Sequence, residues 1–140
     1  MPVSSACMVR LRILLVLAVA VLAACDNGPR PDAVSQRLLD RYDIQAAGGT
    51  TTQEMEVGEL AEEGMPWEVY LAASQGIGLD FSEHFGAPAE VHTTPVDGGT
   101  PGMRLHVLVL RDGGGTIGAW LSSEDDATGG SAIYPLDDPP

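Results

Sequence analysis

The chain has 140 residues, with 20 aspartates and glutamates against seven arginines and no lysine, a formal charge of −13. A balance this acidic excludes a surface built to bind nucleic acid, because phosphate contacts need clustered cations. The length fits one small domain once a leader is set aside.

The leader comes first. Arg10 and Arg12 precede an apolar run of 12 residues from Ile13 to Ala24, and small Ala23 and Ala24 precede Cys25. These are the three parts of a secretory signal. The run is short of the roughly 20 apolar residues that a spanning helix needs, and Asp26 to Pro31 is polar and helix-breaking. Leu22-Ala23-Ala24-Cys25 resembles the lipobox of bacterial lipoprotein signal peptides. The resemblance implies that residues 1–24 are a signal peptide cut between Ala24 and Cys25. It implies that Cys25 carries the lipid, acyl chains of the palmitate class, and that the protein is held on a membrane in the extracytoplasmic cell envelope. Asp26 resembles a retention signal, which favours the inner over the outer membrane. Removing residues 1–24 discards Cys7, Arg10 and Arg12; five arginines then face 20 acidic residues, a charge of −15. With Cys25 alkylated, the folded part has no cysteine for a disulfide or a metal.

Residues 25–31 read as the lipidated cysteine and a short tether, stiffened by Pro29 and Pro31. Residues 32–136 read as a single α+β domain and residues 137–140 as a disordered tail. Within the domain, Pro31 to Tyr42 has helical period, with Val34, Leu38 and Tyr42 on one stripe and Leu39 beside it. Gly48-Gly49 breaks the chain before a short strand, Thr51 to Val57. Pro66 to Ile77 reads as a second helix, with Trp67, Tyr70, Leu71 and Ser74 on one face and Gly78 as a left-handed cap. Asp80 to Glu83 has capping chemistry, with Phe81 and Phe85 expected to turn inward.

From Glu90 onward the period falls to two. Glu90 to Val96 reads as a strand that Pro95 limits to an edge or a strand end. Met103 to Arg111 alternates most clearly: Met103, Leu105, Val107 and Val109 share one face, and Arg104, His106, Leu108 and Leu110 the other. Asp112 to Gly115 is a turn, and Thr116 to Ser123 returns antiparallel, with Ile117, Ala119 and Leu121 alternating against Gly118, Trp120 and Ser122. Ala132 to Leu136 adds a short last strand. Helices before strands predict an α+β fold, two helices covering one face of a three- to four-stranded, mainly antiparallel sheet.

Gly78-Leu79-Asp80-Phe81-Ser82-Glu83-His84-Phe85-Gly86 resembles the Gly-aromatic-Asp-Leu-Ser-x-Tyr-x-Gly segment of a small extracytoplasmic domain of unknown function, found in membrane-anchored proteins of clostridia and related bacteria. Leu38 to Ile44, Tyr70, Leu108-Val109 and Ile117-Gly118-Ala119 fall at compatible places, so the similarity runs from about Leu38 to Leu136. Asp43-Ile44 stands where that family has Gly-Trp, His84 where it has Tyr, and Trp120 where it has Asp. The resemblance implies a fold and a compartment; the family has no established activity, so it assigns no functional residue.

Candidate chemistry is sparse. His84, His92 and His106 are separated by 8 and 14 residues, which fits no compact zinc motif, although His92 and His106 could meet across neighbouring strands. Ser82-Glu83-His84 has triad residue types as direct neighbours, whose side chains diverge; helix capping explains them better. Gly76 to Gly78 and Gly113 to Gly115 lack the rest of any nucleotide-binding motif and read as turns. Glu124-Asp125-Asp126 reads as a solvated acidic loop with calcium as its alternative. Glu62 and Glu63 point apart, and Trp67 and Trp120 read as packing residues. No metal, cofactor or catalytic residue is expected. The leading expectation is a non-catalytic, lipid-anchored binding or accessory domain with an envelope protein partner, and Arg104, His106 and Trp120 as its binding surface if an exposed sheet face binds. The alternatives are a small envelope hydrolase, built around His106 or His92 with an acidic neighbour, and an acidic inhibitor or immunity lipoprotein.

Overall fold

The computed structural model describes residues 28–59, 66–125 and 130–140. The expected signal peptide, the expected cleavage pair Ala24 and Cys25, and Asp26, Glu62, Glu63 and Asp126 lie outside the described residues. In chain order the elements are α1 (Ala33–Arg41), β1 (Gln45–Ala46), β2 (Thr51–Glu56), α2 (Trp67–Gly76), a 3-10 turn (Ser82–His84), β3 (Pro88–Asp97), β4 (Arg104–Leu110), β5 (Gly115–Asp125) and β6 (Gly130–Tyr134).

They make an α+β domain with two helices packed against an antiparallel sheet. The sheet has six strands rather than three or four. β3, β4, β5 and β6 are neighbours in chain order, and both β1 and β2 pair with β3 on its other side. β3 is therefore central, and Pro95 does not mark an edge. Its carbonyl accepts from Ala47 N–H at 2.8 Å, so its nitrogen also points away from β4. It sits where β1, paired to residues 96–97, has ended and β2, paired to residues 88–93, has not begun. A missing N–H costs no ladder bond there.

The helices lie on opposite faces of the sheet, not on one. Leu39 of α1 packs with Leu105, Val107, Ala119 and Leu121. Tyr70 and Ala73 of α2 pack with Val91, Leu108, Ile117 and Trp120 on the reverse face. β4 carries the reason in its sequence: Leu108 is as fully buried as Leu105 and Val107 although it faces the other way.

One residue breaks the alternation expected for β5. Leu108 pairs with Gly118 but Val109 pairs with Thr116, so Ile117 is an extra residue, a bulge. The bulge moves Ile117 out of the set with Ala119 and Leu121 and onto the Trp120 face. Gly118 follows directly, and a Cβ there would lie 2.8 Å from the ring of fully buried Phe81. Phe85, by contrast, is 42% exposed rather than turned inward, and its ring meets Trp67 edge-on at 4.6 Å.

Two contacts attach the helices. Past the end of β6, which pairs only from Leu121 outward, the free edge of β5 at Ala119 is closed by Ser74 of α2. The buried Ser74 hydroxyl donates to Ala119 C=O at 3.2 Å and accepts Ala119 N–H at 3.1 Å. At the other helix, Asp32 is the N-cap of α1, one residue after Pro31, and its Oδ1 accepts Ser35 N–H at 2.8 Å. The chain closes onto the domain before that: a Cβ on Gly49 would lie 2.7 Å from Pro29, so Pro29 runs against the Gly48-Gly49 turn. At the C-terminus Leu136 is buried, and residues 137–140 are exposed with the Pro140 carbonyl brought beside Gly99.

Candidate functional site

The two sheet faces hold one histidine each from neighbouring strands. His92 of β3 stands opposite Val107, and His106 of β4 stands opposite Thr93, so adjacent pairs point to opposite faces. The two imidazoles therefore do not meet.

His92 lies on the α1 face. Its Nδ1 is hydrogen-bonded to Asp32 Oδ2, and Glu90 Oε2 is 3.4 Å from its Nε2. Asp32 thus uses one carboxylate oxygen to cap the helix and the other to hold β3. Its own backbone N–H donates to the Thr50 hydroxyl at 2.9 Å, which is 2.7 Å from the hydroxyl of buried Thr94. Burial raises the Asp32 pKa, but hydrogen bonds from Ser35 and His92 outweigh it and the net shift is downward. Both Asp32 carboxylate oxygens are spent on joining the helix start to the sheet, while Ser35 Oγ and His92 Nε2 are buried beside them without a hydrogen-bond partner.

His106 lies on the α2 face, in a groove of about 240 Å³ beside Tyr70. Gln53 and Met55 of β2 form one wall, Thr93 and His106 the floor, and Ser122, Glu124 and Ile133 the other side. Thr93 Oγ1 is 3.1 Å from His106 Nδ1, and Ser122 Oγ is 2.7 Å from Nε2. The imidazole stacks on Trp120, with centroids 5.6 Å apart and planes 16° from parallel, and Trp120 in turn meets Tyr70 edge-on at 5.1 Å. Burial, then the nearby Arg104 charge, lowers the His106 pKa from 6.5 to about 4, so the ring is neutral near pH 7. Arg104 pairs with Glu124 at 2.7 Å at the mouth.

The three residues expected on a binding face are thus brought together, but in different roles. Arg104 is exposed at the rim and His106 is half-buried in the floor. Trp120 is only 2% exposed and stacks beside the His106 ring from the neighbouring strand, so it offers little surface. Thr93, Ser122 and Gln53 were not singled out by sequence. The β3–β4 register signals the first, because Thr93 stands opposite His106; Ser122 comes to stand opposite Arg104 only through the bulge at Ile117.

A neutral imidazole bonded to a serine hydroxyl invites comparison with a nucleophile–base pair. The third member is a hydroxyl, Thr93, and not a carboxylate, so nothing stabilises an imidazolium, and Arg104 opposes it. As a base of pKa about 4, His106 takes a proton poorly at neutral pH. The arrangement is suited to hydrogen bonding rather than proton abstraction. Among the described residues no group of three or more His, Cys, Asp or Glu side chains is placed to hold a metal ion. A larger hollow of about 360 Å³ between α1 and residues 77–79 is lined mainly by Val34, Leu38, Tyr42 and Leu79, with Arg37, Arg41 and Thr116 adding polar groups.

No family model matches the chain, and no curated protein or solved structure is significantly similar to it.

Proposed function

We propose that this chain is a lipid-anchored lipoprotein of the bacterial envelope, attached through Cys25, whose domain is a binding module rather than an enzyme. Leu22-Ala23-Ala24-Cys25 after its apolar run carries the anchoring half of this reading. Two acyl chains hold a protein on a bilayer where one does not. The groove around His106 carries the binding half, because it gathers hydroxyls, an imidazole and an ion pair without an activated nucleophile. The partner is another envelope component. Inner-membrane retention follows from Asp26 if the organism uses that signal.

The hydrolase reading has one observation in its favour, the 2.7 Å contact between Ser122 and His106. Labelling of Ser122 by a fluorophosphonate would establish it in place of the binding reading; absence of labelling is the expected result. The inhibitor reading rests on the charge of the mature chain and predicts binding to a basic partner that weakens steeply with salt.

Anchoring is tested by metabolic labelling with a clickable palmitate analogue. The wild-type protein is expected to incorporate label and to stay with membranes through a high-salt wash. Cys25→Ser is expected to lose the label and to accumulate unprocessed or soluble. Salt-resistant membrane attachment of that variant would contradict the anchor.

A further inference from the structure

We infer that the groove on the α2 face takes a neutral polyhydroxyl ligand, one sugar ring of an envelope glycan, through the Thr93–His106–Ser122 chain. This deepens the binding reading and rests on it for the location of the site.

The hydrogen-bond chain is the first reason. A neutral imidazole has one N–H and one lone pair. With Thr93 on Nδ1 and Ser122 on Nε2, one hydroxyl donates to the ring and the other accepts from it. The accepting hydroxyl keeps its own hydrogen for a ligand; the donating one keeps a lone pair. Exchange of the ring tautomer swaps these roles. The floor therefore offers a donor and an acceptor whose places are interchangeable. Sugar hydroxyls, which both donate and accept, match that floor in either state. A peptide, with N–H and C=O fixed in place, matches one.

Size and lining agree. The space of about 240 Å³ is below the roughly 300–1,000 Å³ of pockets for drug-sized ligands, which is room for a ring and not for a folded segment. Met55 and Ile133 give apolar surface for the C–H face of a ring, while Gln53 and the Arg104–Glu124 pair put planar donors and acceptors at the mouth. Charge separates the competitors. An anion meets Glu59 and Glu124 in the lining and an Arg104 already neutralised. A cationic peptide finds those carboxylates occupied: Glu124 by Arg104 at 2.7 Å, and Glu59 by the Glu56 N–H at 3.0 Å.

The experiment is an NMR titration of the full-length processed protein in detergent with N-acetylglucosamine, its β-1,4-linked dimer and, separately, tetralysine. Saturable shifts centred on Thr93, His106 and Ser122 are expected with the saccharides, at dissociation constants in the millimolar range or below. Ser122→Ala and Thr93→Val should each weaken binding about tenfold. Gln53→Ala, on the exposed face of β2, should weaken it about threefold without touching the core. Raising salt from about 0.05 to 0.5 M should leave saccharide binding unchanged. The inference is overturned if neither saccharide shifts the groove of a folded protein at about 50 mM. It is equally overturned if only tetralysine binds and salt abolishes it. The binding reading survives either result if crosslinks from Gln53 still capture a partner in cells, so the two failures are distinguishable.

Discussion

The two faces of the sheet hold similar residues and use them differently. On the α1 face, His92 faces a carboxylate that also caps a helix, and two threonines complete the network. On the α2 face, His106 has only hydroxyl partners and opens on a groove. The contrast shows what makes a histidine structural. A carboxylate shared between a strand and a helix start fixes both elements, and the imidazole nitrogen left over, His92 Nε2, is buried with Glu90 Oε2 3.4 Å away. A ring held between two hydroxyls is positioned without being saturated, because each hydroxyl keeps a further hydrogen-bonding site.

The largest expected effect comes from removing the carboxylate that makes the α1 face structural. Asp32→Ala deletes an N-cap and a charge-assisted hydrogen bond, and should destabilise the domain by about 3 kcal/mol in chemical denaturation. A loss below about 1 kcal/mol would mean that the Asp32–His92 contact contributes little and that the two histidines are less different than their partners suggest.

Acid titration probes the other face. The folded His106 pKa lies near 4, below its ordinary 6.5. Above pH 6.5 the group is neutral in both states and does not affect stability. As pH falls from 6.5 toward 4, the unfolded chain takes up a proton that the folded one refuses, and stability is lost. The full shift corresponds to about 3 kcal/mol; partial solvent access to the ring should reduce this to about 2 kcal/mol. Asp32, with its lowered pKa, loses its contribution only below the ordinary carboxylate value of 3.8, outside this window. His106→Gln should therefore flatten the stability curve between pH 6.5 and 4, measured by thermal melts across pH. An unchanged slope would show that His106 is not the group responsible.

Helix attachment on the α2 face is tested next. Ser74→Ala leaves the buried N–H and C=O of Ala119 without their shared partner and should cost about 2 kcal/mol. Ser74→Thr, which keeps the hydroxyl, adds a methyl that must fit beside Phe81 and Gly118. Gly118→Ala should cost a similar 1–3 kcal/mol, roughly, because the added methyl meets the buried Phe81 ring. The smallest effect belongs to the rim. Arg104→Ala breaks an exposed ion pair and should change stability by less than about 1 kcal/mol, so any loss of ligand binding in that variant reports recognition and not folding.

Much of the fold was legible where side-chain periodicity is strong. The Val34–Leu38–Tyr42 stripe with Leu39, and the alternation along β4, correspond to one helix and one strand of the structure. What the periodicity obscured was the second covered face. Leu108 and Leu110 share the Arg104 face of β4, and that apolar half already argued for a helix on each side. Of the two places expected for Pro95, an edge strand or a strand end, the edge failed: Pro95 closes the β3–β4 ladder near the end of a central strand, and which strand is central depends on β1 and β2, about 40 or more positions away in sequence. The bulge at Ile117 leaves no local mark apart from the glycine after it. For the site, Arg104 and His106 were legible as polar residues in an apolar strand. The bond from Asp32 to His92 spans 60 residues and was not. Ser122 was not either, since counting back from the Asp112–Gly115 turn without the Ile117 bulge sets Leu121 beside Arg104 and turns Ser122 to the other face.

The central claim, that the α2-face groove binds and the α1-face network only holds the fold together, is tested most directly by photocrosslinking in living cells. A photoreactive amino acid placed at Gln53, on the groove wall, is compared with one at Gln36, exposed on α1. The account predicts adducts from position 53 that disappear when Ser122→Ala is added, and none from position 36. Adducts from position 36 alone would contradict it.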